Sequence, residues 1–185
     1  PGFDGNSQRY EISWRIFGDT FLHSSHHTGS AAIHHLADEA ATLALGAEIA
    51  TILHPGLVVF LRGNLGAGKT TLARGILRGL GYQGKVKSPT YNLVELYKIS
   101  RLYFYHFDFY RFNDPIEWED AGFREYFNAD SICLVEWPEK ADGLLPTADL
   151  QVLLSITETG RNVEIQAGTE AGRQCLKHWQ TPAHP

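Results

Sequence analysis

The chain has 185 residues, of which 43% are hydrophobic and 20% are charged, and its formal net charge is −5. These values predict a globular protein with a core of its own and exclude a disordered or fibrous chain. The negative charge argues against a protein whose main surface binds nucleic acid by itself. No apolar run is long enough to span a membrane, no signal segment opens the chain, and two cysteines form no disulfide framework, so a cytoplasmic location is expected.

The first 30 residues have no clear helical or strand period and are predicted to be a flexible extension. One domain is expected over residues 31–179, followed by a tail over residues 180–185. Several histidines in and near this extension form either a metal cluster or part of a solvated arm. We favour the solvated arm, because no acidic or cysteine partners stand at metal-ligand spacing. They are His23, His26, His27, His34 and His35.

The first predicted element is an amphipathic helix that begins after Asp38 and ends near His54-Pro55-Gly56. Small and apolar residues recur in it at helical spacing. The face that they would share consists of Ala40, Leu43, Ala44, Ala47 and Ala50.

A glycine-rich segment then separates a predicted strand from a predicted helix. Leu57–Leu61 is a short apolar run typical of a buried parallel strand, and Thr70–Arg78 reads as a helix that Gly81 would end. Leu72, Ile76 and Leu77 lie along one face of this helix. Between strand and helix stands Gly63-Asn64-Leu65-Gly66-Ala67-Gly68-Lys69-Thr70, a complete G-x-x-x-x-G-K-T loop.

The chemistry of this loop is that of a phosphate site. Glycines let the backbone approach a phosphate, and the loop amides and the helix N-terminus then face the anion. Lys69 would contact the outer phosphates, and the Thr70 hydroxyl can bind Mg²⁺. The loop therefore predicts a nucleoside triphosphate, ATP, held with Mg²⁺. The predicted nucleotide-binding residues here are Asn64, Leu65, Gly66, Ala67, Gly68, Lys69, Thr70 and Thr71.

The later elements complete an α/β pattern. Tyr91–Tyr97 and Tyr103–Phe109 predict a β-hairpin, and Pro115–Phe127 predicts an acidic amphipathic helix. Further strands are predicted over Ile132–Trp137, Leu150–Ile156 and Asn162–Gln166, and a terminal helix over Gly168–Trp179. This order favours a P-loop NTPase fold, a three-layer α/β/α sandwich around a mixed, mainly parallel sheet with a β-hairpin.

Two acidic residues are candidates for the rest of an active site. Glu136 ends an apolar strand, where its carboxylate would emerge beside the loop lysine and bind a metal; the alternative is an ordinary surface glutamate. Asp108 lies in an aromatic strand, on the same face as His106, and an unpaired buried acid there would cost several kcal/mol. It therefore needs a metal, a cation or a donor nearby, and pairing with Arg111 or a lysine is the alternative.

Two further segments leave more than one interpretation open. Thr90, in Ser88-Pro89-Thr90, offers a hydroxyl that could follow the metal or the γ-phosphate, although the segment also reads as a plain turn. Basic residues predominate between residues 69 and 101, as either a solvated face or a docking surface for an acidic partner or RNA. They are Lys69, Arg74, Arg78, Lys85, Lys87, Lys98 and Arg101.

Four motifs together resemble the TsaE family in order and spacing, over about residues 36–167. They are Gly63–Thr70, Lys87–Tyr91, Tyr105–Arg111 and Leu134–Pro138. The resemblance implies a cytoplasmic Mg²⁺-dependent ATPase, weak alone, that acts with TsaD and TsaB in the threonylcarbamoyladenosine modification of tRNA beside the anticodon. It also implies that tRNA is contacted indirectly, through these partners.

The resemblance also implies roles for single residues. Lys69 and Thr70 would serve the phosphates and Mg²⁺, Glu136 would be a metal ligand, and Asp108 would polarise water. Ser88–Thr90 would be a nucleotide-sensing switch. Two more positions, Glu39 and Arg161, match ones that contact nucleotide. One departure is Asn64, where the family commonly has Asp; this position faces outward from the phosphate nest, so little effect is expected.

Two other classes of function fit the loop. A small-molecule kinase needs an arginine-rich lid, yet beyond the basic segment only Arg111 and Arg124 lie between the loop and Glu136. A non-catalytic module, in which ATP only sets the shape of a docking surface, would bind nucleotide without turnover. A guanine-nucleotide switch is disfavoured because neither Asn-Lys-x-Asp nor Asp-x-x-Gly occurs.

Overall fold

The computed structural model describes residues 31–114, 118–119 and 121–180. The strands there are β1 Ala31–Leu36, β2 Val58–Arg62, β3 Val94–Ile99, β4 Leu102–Asp108, β5 Ser131–Glu136, β6 Leu150–Thr157 and β7 Gly160–Ala167. The α-helices are α1 Glu39–Ala50, α2 Lys69–Gly79 and α3 Glu170–Gln180. The predicted extension over residues 1–30 and residues 181–185 of the predicted tail lie outside the described residues.

All seven strands belong to one mixed sheet in the order β1-β7-β6-β2-β5-β4-β3. The four central strands β6, β2, β5 and β4 run parallel, whereas β3 pairs antiparallel with β4 and β7 pairs antiparallel with both β6 and β1. This sheet confirms the predicted α/β class, the mixed sheet and the hairpin. Because β2, β4 and β5 are parallel, their carboxyl ends lie along one edge, where open α/β sheets place their ligands.

The two faces of the sheet are covered differently. The three α-helices pack on one face, in a core cluster that includes Ile49, Leu72, Ile76 and Leu176. The other face carries an aromatic cluster built by β4 and by the irregular chain that follows it. Its members include Phe107, Phe109, Phe112, Trp118 and Phe123. The sheet therefore lies between a helical layer and a layer of aromatic side chains with short turns.

The helix predicted over Pro115–Phe127 is not continuous in the described residues. Trp118 and Glu119 are helical, Gly122 has a positive φ of 64°, and Phe123–Tyr126 is a single 3₁₀ turn. Residues 115–117 and 120 lie outside the described part. The physical reason is that Trp118 and Phe123, which are only 1% and 5% exposed, both enter the aromatic cluster, and the break at Gly122 turns the chain between them.

Helix α1 buries only part of the face that was predicted, since Ala50 is buried but Leu43 and Ala47 are half-buried. Its buried residues are Thr42, Leu45, Gly46, Ile49 and Ala50. Ala40 and Ala44, which were expected on the apolar face, are exposed. The alanine-rich sequence makes the two sides of this helix similar in polarity, so close packing decides the orientation. The predicted face of α2 is confirmed, since Leu72, Ile76 and Leu77 are fully buried.

Glycines bring α1 and α2 into close contact. A Cβ on Gly46 would lie 2.6 Å from the carbonyl oxygen of Leu72 and 2.8 Å from the Cα of Gly75. A Cβ on Gly75 would lie 2.4 Å from the carbonyl oxygen of Leu43. All three atoms belong to backbone, which cannot move aside as a flexible side chain would. The contact holds the helix that begins at Lys69 firmly against the rest of the helical layer.

Replacing Gly46 by alanine is expected to lower the free energy of unfolding by about 1–3 kcal/mol, the usual cost of overpacking a core. The higher helix propensity of alanine would by itself act in the opposite direction. Chemical denaturation of the purified chain measures the difference. Ala44→Ser, on the exposed side of the same helix, is the control and should change the stability by no more than about 0.5 kcal/mol. An unchanged or raised stability of Gly46→Ala would contradict the close packing.

No helix in the described part of the chain is both long and apolar enough to cross a bilayer.

Candidate active site

The glycine loop joins β2 to α2 at the carboxyl edge of the sheet. Gly63, Gly66 and Gly68 have φ angles of 140°, 80° and 102°, a region that other residues rarely adopt. At Gly63 a side chain would also collide with backbone, because a Cβ would lie 2.4 Å from the carbonyl oxygen of Leu154. Helix α2 begins at Lys69, so its unpaired N-terminal amides lie at the loop.

A cavity of about 590 Å³ opens at this edge of the sheet. Its lining comes from the loop, from the segment before the hairpin, and from the ends of β4 and β5. The lining residues are Leu65, Gly66, Gly68, Lys69, Thr70, Thr71, Ser88, Thr90, Asp108, Tyr110, Arg111, Glu136 and Trp137. The three residues predicted to be catalytic, Lys69, Asp108 and Glu136, thus line one cavity although they are far apart in sequence.

Lys69 is 4% exposed. Its Nζ donates hydrogen bonds to the carbonyl oxygens of Gly63, at 2.7 Å, and Asn64, at 3.0 Å. The same Nζ lies 3.9 Å from the centroid of the Trp137 ring. Burial lowers the pKa of the ammonium, although the carboxylates of Glu136, Glu139 and Asp108 act in the opposite direction. A poorly solvated ammonium of this kind interacts strongly with an anion that enters the cavity.

Glu136, the last residue of β5, is buried beside Thr70. The Thr70 hydroxyl donates to the Glu136 carboxylate, at 3.0 Å from Oε1 and 3.2 Å from Oε2. His106 Nε2 lies 2.9 Å from the same Oε1. Residue Glu136 as a whole is 2% exposed, so it is not the ordinary surface glutamate of the alternative interpretation.

Asp108 ends β4 directly opposite Glu136 in the β4–β5 register. Its Oδ2 accepts hydrogen bonds from the hydroxyls of Thr90, at 2.6 Å, and Ser88, at 3.4 Å, and its Oδ1 accepts one from the amide of Tyr110, at 2.9 Å. The sequence analysis predicted a metal, a cation or a hydrogen-bond donor beside this buried acid. The structure provides donors, which are the two hydroxyls and the amide. The alternative partner Arg111 instead lies over the Tyr91 ring, with its guanidinium carbon 4.7 Å from the centroid.

The segment that carries Ser88 and Thr90 is held at both ends. On one side the buried Tyr97 hydroxyl donates to the carbonyl oxygen of Lys87 and accepts from its amide, both at 3.0 Å. On the other side the amide of Asp108 donates to the carbonyl oxygen of Leu93 at 3.0 Å. Between these anchors the Ser88 and Thr90 hydroxyls contact Asp108, and the Tyr91 ring contacts the Arg111 guanidinium. Breaking the two hydroxyl contacts would free Oδ2 of Asp108, while Oδ1 would keep its hydrogen bond from the Tyr110 amide.

Four residues predicted to contact nucleotide do not line the cavity. They are Glu39, Asn64, Ala67 and Arg161. Glu39 forms an ion pair with Arg74 at 3.1 Å, and Asn64 is exposed, as expected for a side chain that faces outward. The Arg161 guanidinium donates to the carbonyl oxygen of Ala67 at 3.2 Å. Their contacts with a nucleotide stay predictions.

Sequence reasoning missed two parts of the site. His106, which strand alternation places on the face of Asp108, is a buried histidine that contacts Glu136. Trp137 lines the cavity and contacts Lys69. Its backbone has φ 57° and ψ 47°, a left-handed conformation that is uncommon for a bulky residue. No sequence pattern signals that conformation.

The donor set at Thr70 and Glu136 fits Mg²⁺. A hydroxyl and a carboxylate are hard oxygen ligands, and Mg²⁺ is commonly held by one or two protein oxygens together with phosphates and water. No cluster of three or more histidine, cysteine or acidic residues suited to a metal occurs among the residues that the structure describes. The protein would thus supply part of the coordination shell of Mg²⁺. The phosphates of a substrate would supply further oxygen ligands.

A strand, glycine loop and helix at the carboxyl edge of a mixed sheet, with acids ending the neighbouring strands, define a P-loop protein of the α/β class. The family model for the Threonylcarbamoyl adenosine biosynthesis protein TsaE matches residues 36–163. The chain belongs to the TsaE family.

Individual relatives agree with this assignment. The chain is 49% identical over 147 residues to the tRNA threonylcarbamoyladenosine biosynthesis protein TsaE of Haemophilus influenzae, a match that covers 77% of this chain and 93% of that protein. It is 42% identical over 113 residues to the protein of the same name from Bacillus subtilis, covering 61% and 70%. The crystal structure of Bacillus subtilis YdiB superposes with a TM-score of 0.72 at 28% identity, covering 84% of this chain and 97% of that one.

Proposed function

We propose that this chain is the Mg²⁺-dependent ATPase subunit of the machinery that makes threonylcarbamoyladenosine in tRNA, acting with TsaD and TsaB in the cytoplasm. One observation carries the ATPase part: Lys69, Thr70, Asp108 and Glu136 line one cavity at the glycine loop. The names of the relatives from Haemophilus influenzae and Bacillus subtilis support the tRNA part. The two partners are those implied by the motif resemblance.

Each residue would have a separate task. The loop amides and Lys69 would bind the β- and γ-phosphates of ATP, and Thr70 with Glu136 would hold Mg²⁺. When bound, the ion neutralises the charge that develops on the phosphate oxygens. Asp108 would orient the attacking water, because it lies opposite Glu136 at the carboxyl edge of the sheet.

The contacts of Asp108 also support slow hydrolysis by the chain alone. Both of its oxygens already accept hydrogen bonds, Oδ2 from the Ser88 and Thr90 hydroxyls and Oδ1 from an amide. Water can approach the carboxylate more easily once the Ser88–Thr90 segment moves. Two apolar side chains are exposed beside this segment. Leu65 lines the cavity and is 70% exposed, and Tyr91, which contacts the cavity residue Arg111, is 82% exposed. A partner protein that bound these side chains could contact the Ser88–Thr90 segment. The net charge of −5 fits a subunit that reaches tRNA through such partners.

ATP hydrolysis measured in three mixtures tests this proposal. The purified chain alone should release phosphate slowly, addition of TsaD and TsaB should raise the rate, and addition of tRNA with the remaining substrates should yield threonylcarbamoyladenosine over repeated rounds. A phosphorylated small molecule as product would instead favour a kinase. Tight ATP binding without turnover in every mixture would favour the nucleotide-gated module.

A further inference from the structure

His106 is a buried side chain that the proposed chemistry does not use. It lies in β4, two residues before Asp108, and points to the same side of the sheet as that acid. Its side chain is 0% exposed, and its Nε2 lies 2.9 Å from Oε1 of Glu136, whose side chain is 3% exposed. A buried polar ring whose one hydrogen-bond partner among the described residues is the proposed metal ligand requires an explanation beyond filling space.

The hydrogen-bond pattern determines which nitrogen of His106 carries the proton. A carboxylate only accepts hydrogen bonds, so Nε2 must be the donor in the contact with Glu136. The other nitrogen, Nδ1, is buried and has no hydrogen-bond partner among the residues that the structure describes. A proton on Nδ1 would thus be a buried, unsatisfied donor, which is costly. The imidazole therefore presents an Nε2–H to Glu136.

Two donors meet on the carboxylate of Glu136. His106 contacts Oε1 from within the sheet, and the Thr70 hydroxyl contacts both oxygens from the glycine loop. With Oε1 held by the imidazole, rotation of the carboxylate is restricted, and both of its oxygens stay within hydrogen-bond distance of the Thr70 hydroxyl. Since His106 and Asp108 share one strand, the geometry of both acids depends on the same rigid element.

We propose that His106 is a positioning residue for the divalent cation: its Nε2–H holds the Glu136 carboxylate in the orientation that receives Mg²⁺ together with Thr70. The inference rests on the proposed function, because it presupposes that nucleotide and Mg²⁺ bind in this cavity. Histidine N–H groups and carboxylates commonly orient one another around metal sites, and loss of such an outer partner typically weakens metal binding or activity by about 10–100-fold.

Three variants separate positioning from packing. His106→Phe keeps a ring of similar size but removes the donor. His106→Gln keeps an N–H donor near the place of Nε2. Phe104→Leu is the matched control. Phe104 is also fully buried and lies on the same face of β4, and shortening it makes a cavity. It belongs to the apolar core cluster and does not line the candidate site.

The measurement is Mg²⁺ binding by titration calorimetry at a saturating concentration of a non-hydrolysable ATP analogue, with binding of the analogue in EDTA measured separately. His106→Phe should weaken the Mg²⁺ step by about 10–100-fold and leave the analogue's affinity in EDTA unchanged. His106→Gln should recover part of the loss, and Phe104→Leu should bind Mg²⁺ as the unchanged chain does even if its melting temperature falls. Equal Mg²⁺ affinity in folded His106→Phe and in the unchanged chain would overturn the positioning role alone.

Histidine ¹⁵N NMR of the unchanged chain provides a second readout that needs no variant to fold. His106 should carry its proton on Nε2, and that nitrogen should change its shift when Mg²⁺ is added to the analogue complex. A proton on Nδ1, or an Nε2 signal indifferent to Mg²⁺ that demonstrably binds, would overturn the inference. An unchanged chain that binds neither analogue nor Mg²⁺ would overturn the proposed function as well, so the two failures are distinguishable.

Discussion

Replacement of Lys69 by alanine is expected to lower partner-stimulated ATP hydrolysis by about 10²–10³-fold, the scale on which one preorganised group at a reacting centre contributes. The ammonium is buried, lies above the Trp137 ring and now donates to the carbonyl oxygens of Gly63 and Asn64. A phosphate would exchange these neutral acceptors for charged ones, which form stronger hydrogen bonds. The variant therefore loses a charged hydrogen bond to the substrate in addition to the two bonds to the loop carbonyls.

Phosphate release in the presence of TsaD and TsaB measures this loss, with Lys85→Ala as the control. Lys85 is exposed and belongs to the same basic segment, so a general loss of positive charge would affect both variants alike. Lys69→Ala should remain folded, because burial already disfavours the charged form of this side chain and its removal relieves that cost. Full partner-stimulated turnover in folded Lys69→Ala would refute a catalytic site at the loop.

Replacement of Asp108 by asparagine is expected to lower hydrolysis by about 10²–10⁴-fold, the usual contribution of a positioned base. Asparagine has nearly the same shape, and its amide oxygen can still accept hydrogen bonds from the hydroxyls of Ser88 and Thr90, although its NH2 group loses the hydrogen bond that Oδ1 accepts from the Tyr110 amide. Binding of ATP with Mg²⁺ should therefore stay close to that of the unchanged chain. Single-turnover hydrolysis and nucleotide titration, carried out on the same preparation, separate the two effects.

Glu136→Gln is the informative comparison for Asp108→Asn, because the two acids face each other across β4 and β5. Glu136→Gln should weaken the Mg²⁺-dependent part of nucleotide binding, whereas Asp108→Asn should not. Asp130→Asn, at an exposed carboxylate before β5, serves as the control and should affect neither. Loss of nucleotide binding in Asp108→Asn, or an unchanged rate, would contradict the role of Asp108 in orienting water.

The parts of this fold that follow from local patterns were predictable from sequence. The glycine loop needs positive φ angles at set positions, and the apolar runs around it have the lengths of a strand and a helix. The sequence Gly63–Thr70 therefore predicts the structure of the loop. Likewise Glu136 ends a strand of uniformly buried residues, and parallel pairing with β2 brings it to the loop. The hairpin and the burial of Phe107 follow from alternation along β4.

The parts that depend on contacts distant in sequence were not predictable. Strand β1 forms by pairing with the edge of β7. Its apolar residue Ile33 is 73% exposed, so the sequence of β1 lacks the alternation of apolar and polar residues that would predict a strand. The orientation of α1 depends on the fit of Gly46 against Gly75 in another helix. The left-handed backbone of Trp137, which brings its ring over Lys69, likewise has no local cause in the sequence.

The central claim is that the cavity beside Lys69 binds ATP together with Mg²⁺ held by Thr70 and Glu136. Titration calorimetry with a non-hydrolysable ATP analogue, on the intact chain with saturating Mg²⁺ and again in EDTA, tests it most directly. We predict one analogue bound per chain, weaker binding in EDTA, and loss of the Mg²⁺ effect in Glu136→Gln. Absence of binding by the folded chain at saturating Mg²⁺, or binding that neither Mg²⁺ nor Glu136→Gln alters, would contradict the claim.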